Sequence, residues 1–130
     1  MPFCLYLLFN HELTPMQQKD AFLSLGISQI QRPPANLKAM WRQIPSGLDS
    51  MSDYLEPVKS WLSENARKGD YVLIQGDFGA CFVMVNFAIE RGLVPVYSTT
   101  TREAVEEHGE DGAIRITHRF KHVKFRKYEG

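Results

Sequence analysis

Residues 71–92 read YVLIQGDFGACFVMVNFAIERG. Four apolar residues end at Gln75-Gly76-Asp77-Phe78-Gly79, and a longer apolar run follows. A short continuous apolar segment rich in β-branched and aromatic types suits a strand buried on both faces, as in a parallel sheet. The run over 79–91 is too long for a strand and reads as a helix, entered through a tight glycine turn. LVPVYSTT (93–100) supplies another strand. Strand, helix, strand in this order predicts a parallel pair with a right-handed crossover.

The same alternation extends toward the amino terminus. FCLYLLF (3–9) is continuously apolar and reads as a second central strand. Thr14, Pro15 and Gln17 open a helix as cap, first residue and capping partner. Ala21, Phe22 and Leu25 are its expected inward stripe, and Gly26 its stop. ISQIQRPP is more polar and is expected at an edge, ended by Pro33 and Pro34. ANLKAMWRQIP gives a turn or two of helix before Pro45 and Gly47. Leu55, Val58 and Leu62 share a helical face with Tyr54 and Trp61 beside it, and Pro57 demands a helix start or a kink there. The pattern predicts one α/β domain over 1–130, a doubly wound, mostly parallel sheet flanked by helices.

The tail differs. Residues 98–128 read as an antiparallel β-hairpin around Asp111-Gly112. One arm carries Glu103, Glu106 and Glu107; the other carries Arg115, Arg119, Lys121, Lys124, Arg126 and Lys127. The arms either pair their charges across the ladder or turn part of the basic arm toward an anion. The helix over 79–91 is apolar almost all round. Either the long middle segment covers it or it forms a homodimer interface.

Composition narrows the function classes. The chain has 130 residues, 44% hydrophobic and 23% charged, with a formal net charge of zero. No global field marks a binder of long nucleic acid, so an anion site must be local. Cys4 and Cys81 lie in apolar runs, match no zinc spacing and read as core residues of a reducing compartment. The start MPFCLYLLFN lacks a basic leader and is too short to span a membrane, so a cytoplasmic protein is expected. No histidine pair has metal-ligand spacing on a helix, so no metal is expected. The glycine turn is neither GxGxxG nor a Walker loop.

In an open α/β sheet, ligands bind beyond the carboxyl ends of the strands, where strand order reverses. Three segments are predicted to meet there: Asn10-His11-Glu12, Gln75 to Gly79, and Ser98-Thr99-Thr100-Thr101-Arg102. Amides at the helix start near Gly76, Phe78 and Gly79 suit a phosphate. Asp77 either caps that helix or, pointing inward, repels an anion. The four hydroxyls and the Arg102 guanidinium suit phosphate and ribose oxygens. His11 serves as a general base, a phosphate donor or a partner for nearby backbone.

With these segments placed, the chain resembles the small CRISPR-associated type III accessory proteins that act as ring nucleases with a CARF-like Rossmann fold. The resemblance rests on FNHELTP, GDYVLIQGDFGACFVMVNFA, VPVYSTTTREAVEE and FKHVKFRKYEG, and spans nearly the whole chain. It implies a homodimer that binds cyclic oligoadenylate, usually cyclic tetra-adenylate, across its two-fold axis. It implies a cofactor-free, metal-independent cleavage in which a ribose 2′-hydroxyl attacks the adjacent phosphate, switching off antiviral signalling. Carried onto this chain, Asn10 and His11 sit by a ribose or the scissile phosphate. The amides of Gly76 to Gly79 cradle phosphate, Thr99, Thr100, Thr101 and Arg102 hold the ring backbone, and Phe78 or an aromatic nearby stacks on adenine. A non-catalytic sponge or sensor for the same ligand shares every one of these features. A flavodoxin-like module for another small phosphate ligand is the third reading.

Overall fold

A computed structural model describes residues 2–130. Strand β1 (Phe3–Leu8) leads through helix α1 (Pro15–Ser24) to β2 (Ile27–Gln31). Helices α2 (Ala35–Arg42) and α3 (Glu56–Asn65) lead to β3 (Tyr71–Ile74). Helix α4 (Phe78–Glu90) connects β3 to β4 (Val94–His108), and β5 (Ile114–Lys127) returns along it. The five strands form one sheet of order β2-β1-β3-β4-β5. The first four are mutually parallel, and β5 is antiparallel to β4. The expected α/β class, mostly parallel sheet and antiparallel tail are therefore present, with the polar strand β2 at an edge as its composition predicted.

The continuous apolar runs follow from burial on both faces. Along β1, Leu5 and Leu7 pack toward α1 with Leu73 and Val96, while Tyr6 and Leu8 pack toward α2, α3 and α4 with Val72 and Ile74. Side chains alternate across a strand, so two cores demand apolar residues at every position. Pro57 sits in the first turn of α3, where its missing N–H costs nothing. Leu55, Val58 and Leu62 are buried as the periodicity predicted.

Helix α1 departs from expectation. Its inward face is Leu13, Gln17 and Ala21, while Phe22 is exposed. Gln17 faces inward because its side chain is already committed: its Oε1 accepts from the Thr14 N–H at 2.9 Å, and the Thr14 hydroxyl accepts from the Gln17 N–H at 3.2 Å. This reciprocal capping box turns a polar residue toward the sheet.

The second departure is in the tail. The third apolar strand and the first hairpin arm are one strand, β4, which pairs with β5 from Val96↔Lys127 to His108↔Ile114. Its parallel pairing with β3 stops at Leu73↔Val96. The antiparallel ladder supplies β4 with hydrogen bonds past the point where the parallel pairing ends. Residues 98–102 thus lie within a strand throughout, and the hairpin pairing begins at Val96↔Lys127, close to the expected start near residue 98. The outer ribbon sets Glu103 opposite Arg119 and Glu107 opposite Arg115, as self-pairing arms require.

A register shift at Thr99/Thr100 fixes which way the β5 side chains point. Thr99 pairs with Lys124, but Thr100 pairs with His122, leaving Val123 as the extra residue of a bulge. A one-residue slip moves every side chain beyond it to the other face. The bulge therefore places His122 on the same face as Phe125 and Ser98. The Thr99 hydroxyl is consumed here, donating to the Lys124 carbonyl at 3.1 Å and accepting from its N–H at 3.2 Å.

Candidate functional site

Strand order reverses between β1 and β3, since β2 lies outside β1 on one side and β4 outside β3 on the other. The residue just past β3 at this switch is Gln75, and it ties three elements together. Its N–H donates to the Leu8 carbonyl at 3.0 Å, its carbonyl accepts from the Trp41 indole at 3.0 Å, and its Oε1 accepts from the Ser98 N–H at 2.8 Å. Gln75 also divides the carboxyl edge into two grooves.

The groove on the α1 side encloses about 620 Å³ and is lined by His11, Gln75, Ser98, Thr100 and, from β5, Arg119, Lys121 and His122. His11 is exposed and meets the Phe9 ring edge-on, with centroids 5.5 Å apart. Glu12 and Glu103 share this groove. Glu12 is held by Lys38 at 3.0 Å and Arg32 at 3.3 Å, and these two hydrogen bonds lower its carboxyl below the usual range. Its charge is thus turned to its own cations.

At the groove floor, three residues distant in sequence meet. The Ser98 hydroxyl lies 2.6 Å from His122 Nδ1, and His122 Nε2 lies 2.6 Å from an Asp20 carboxylate oxygen. Ser98 and His122 are each 8% exposed. The second Asp20 oxygen accepts from Ser24 at 2.5 Å, and that bond, ahead of the one from His122, holds the carboxyl below its ordinary range. Sequence reasoning missed Asp20 and His122, and gave Gln17 only a capping role. The visible signal was the set Gln17, Asp20 and Ser24, polar residues spaced as one helical face.

The groove on the α4 side encloses about 500 Å³ and is aromatic, lined by Gly76, Phe78, Phe82, Tyr97 and Tyr128 among others. The Tyr97 and Tyr128 rings meet tilted by 55° with centroids 4.8 Å apart, and the Tyr128 hydroxyl donates to the Ile74 carbonyl at 2.6 Å. Burial pushes the Tyr128 phenol up to about 12 and the Cys81 thiol up to about 11. Cys81 is therefore a protonated packing group, not a thiolate nucleophile.

The predicted site residues divide accordingly. His11, Gln75, Ser98 and Thr100 meet in the first groove; Gln75, Gly76 and Phe78 line the second. Asn10, Asp77, Gly79, Thr99, Thr101 and Arg102 line neither. Asp77 caps α4, its carboxylate accepting from the Ala80 N–H at 3.0 Å, so the helix start already holds an anion. A Cβ on Gly76 would stand 2.9 Å from the Trp41 indole nitrogen. The glycine is there for tryptophan, whatever else approaches it. Asn10 is the exception among the non-lining residues: its amide oxygen is buried without a hydrogen-bond partner, alone in this among the described side chains.

A third cavity, about 420 Å³, lies at the opposite end of the sheet beside Cys4, Tyr6 and Asp70. Its acid is structural, since Asp70 accepts from the Cys4 N–H at 3.0 Å and the Arg67 N–H at 2.8 Å. No three His, Cys, Asp or Glu side chains gather in metal-holding geometry among the described residues. No helix among them is long and apolar enough to cross a membrane.

No solved structure matches the chain. It is 46% identical over 124 residues to the uncharacterized protein MJ1673 of Methanocaldococcus jannaschii, covering 95% of both chains. The model of the uncharacterized protein MJ1673 family matches residues 4–126, and the chain belongs to that family.

Proposed function

We propose that this protein is a homodimeric ring nuclease that binds and cleaves cyclic tetra-adenylate, without a metal, in type III CRISPR signalling. The observation that carries the reading is the α1-side groove at the β1/β3 switch, where hydroxyls, two imidazoles and the Arg119 and Lys121 cations converge. Hydroxyls and cations at a topological switch point are the groups that hold ribose and phosphate. The switch itself supports the Rossmann-like, CARF-like assignment. The aromatic groove beside it, with Phe78 at its rim, offers adenine a stacking surface.

The outer face of α4 supports the dimer. Helices α2 and α3 cover one side of it, so the middle segment accounts for part of its apolar surface. Phe78 at 93% and Phe82 at 72% exposure remain on the outer side with half-exposed Ile89. This stripe carries no charge, so two copies can meet across a two-fold axis without repulsion. Two copies meeting there would bring their aromatic α4-side grooves toward each other. Phe82→Asp will convert a dimer to a monomer in light scattering; an unchanged mass would remove α4 from the interface.

The reading is tested by incubating excess protein with radiolabelled cyclic tetra-adenylate in chelator and resolving products. Linear products ending in 2′,3′-cyclic phosphate are expected. An intact ring with measurable binding would instead make the protein a sponge or sensor, and absence of binding would exclude both.

A further inference from the structure

The proton positions in the Ser98–His122–Asp20 chain follow from the groups themselves. Asp20 is ionised and can only accept, so the His122 nitrogen 2.6 Å away, Nε2, carries a proton. A neutral imidazole then has a bare Nδ1. In that tautomer Ser98 Oγ, 2.6 Å from Nδ1, donates its single proton there. Gln17 Nε2 approaches the same oxygen from α1 at 3.4 Å as a donor, so the hydroxyl proton has no competing destination. The result is a serine hydroxyl 2.6 Å from one nitrogen of an imidazole whose other nitrogen is anchored by a carboxylate. That is the resting arrangement of a hydroxyl-activating triad, with the two ring nitrogens exchanged relative to the serine-protease example.

The chain also opens to solvent at the right end. Ser98 and His122 line the same groove as His11 and Lys121. A carboxylate–histidine bridge serving only to pin α1 to β5 needs no serine at its far end, and no groove above that serine.

We propose that Ser98, His122 and Asp20 form a proton relay for the attacking hydroxyl. This rests on the ring-nuclease reading above. The ribose 2′-hydroxyl donates to Ser98 Oγ, and Ser98 passes its own proton to His122 Nδ1. The O2′–P bond forms as the P–O5′ bond breaks. The leaving O5′ takes a proton from solvent, and the imidazolium later returns one to solvent, so no water or proton is consumed overall. Asp20 is a positioning residue: it fixes the tautomer and steadies the imidazolium without touching substrate.

Two measurements on the full chain test the relay. The first needs no ligand: long-range ¹H–¹⁵N NMR reads the His122 tautomer. Nε2–H with bare Nδ1 at neutral pH is expected; an Nδ1–H tautomer or a doubly protonated ring overturns the relay. The second is single-turnover cleavage of cyclic tetra-adenylate beside calorimetric binding. His122→Asn and Ser98→Ala should bind the ring like the unmodified protein and cleave it about 10²–10⁴-fold slower. Ser98→Thr should recover most of the rate, and Asp20→Asn should lower kcat with KM unchanged. Full-rate cleavage by Ser98→Ala or His122→Asn overturns the relay, as does a phosphoserine trapped at position 98. So does an unmodified protein that binds the ring without cleaving it. If that protein binds no ring at all, the ring-nuclease reading falls, and the relay stands or falls on the tautomer alone.

Discussion

Trp41→Ala will destabilise the protein by about 3–5 kcal/mol, the range for removing a large buried aromatic. Trp41 is 2% exposed on α2 and packs in the core beneath α4. Truncation leaves a cavity and also strips the Gln75 carbonyl of its indole donor at 3.0 Å. Because Gln75 joins the ends of β1 and β3 to Ser98, the loss reaches the groove as well as the core. Gly76→Ala attacks the same contact from the other side. It inserts a methyl 2.9 Å from the indole nitrogen, on a backbone at φ +157, and should cost about 1–3 kcal/mol by overpacking. Chemical denaturation of the two single variants and the double variant checks the coupling. Gly76→Ala must cost less when residue 41 is already alanine. Strict additivity would show that the glycine is not there to admit tryptophan.

Reversing Arg119 and Lys121 to glutamate together will weaken cyclic tetra-adenylate binding by about 10²–10⁴-fold. Each cation is expected to make one charge-assisted hydrogen bond to phosphate worth about 1.5–3 kcal/mol. Both lie exposed on the ribbon, so the melting temperature should hardly move. Arg102→Glu provides the contrast. The residue stands opposite Phe120 and outside both groove linings, so its reversal should leave affinity nearly unchanged. Calorimetry on the three proteins decides it. If Arg102→Glu is as damaging as the double reversal, the phosphates sit where the sequence placed them and not in the α1-side groove.

That contrast shows how far the sequence could be read. Arg102 follows three threonines at what looks like a strand end, a natural anion site. The strand does not end there, because β5 continues the ladder beyond β3. The cations that line the groove come from the opposite arm. Phe22 misled for a related reason: apolar spacing favoured it as an inward residue beside Ala21, but Ala21 is buried with Gln17, whose side chain the capping box holds, and Phe22 is exposed. By contrast, Thr14, Pro57 and Asp77 were legible because capping and first-turn chemistry is local.

The sequence by itself determined the α/β class, the helix starts and the polar edge strand. It also brought His11, Gln75 and Ser98 to one sheet edge. Each of these follows from a pattern within about ten residues: apolar runs long enough for burial on two faces, caps, and breakers. Only the tertiary structure decided which side chains meet. Asp20 and His122 are 102 residues apart, and their contact depends on a single extra residue, Val123, in one ladder. A bulge changes the face of every side chain beyond it, and neither arm's own pattern marks where it falls, because register is a property of two strands together.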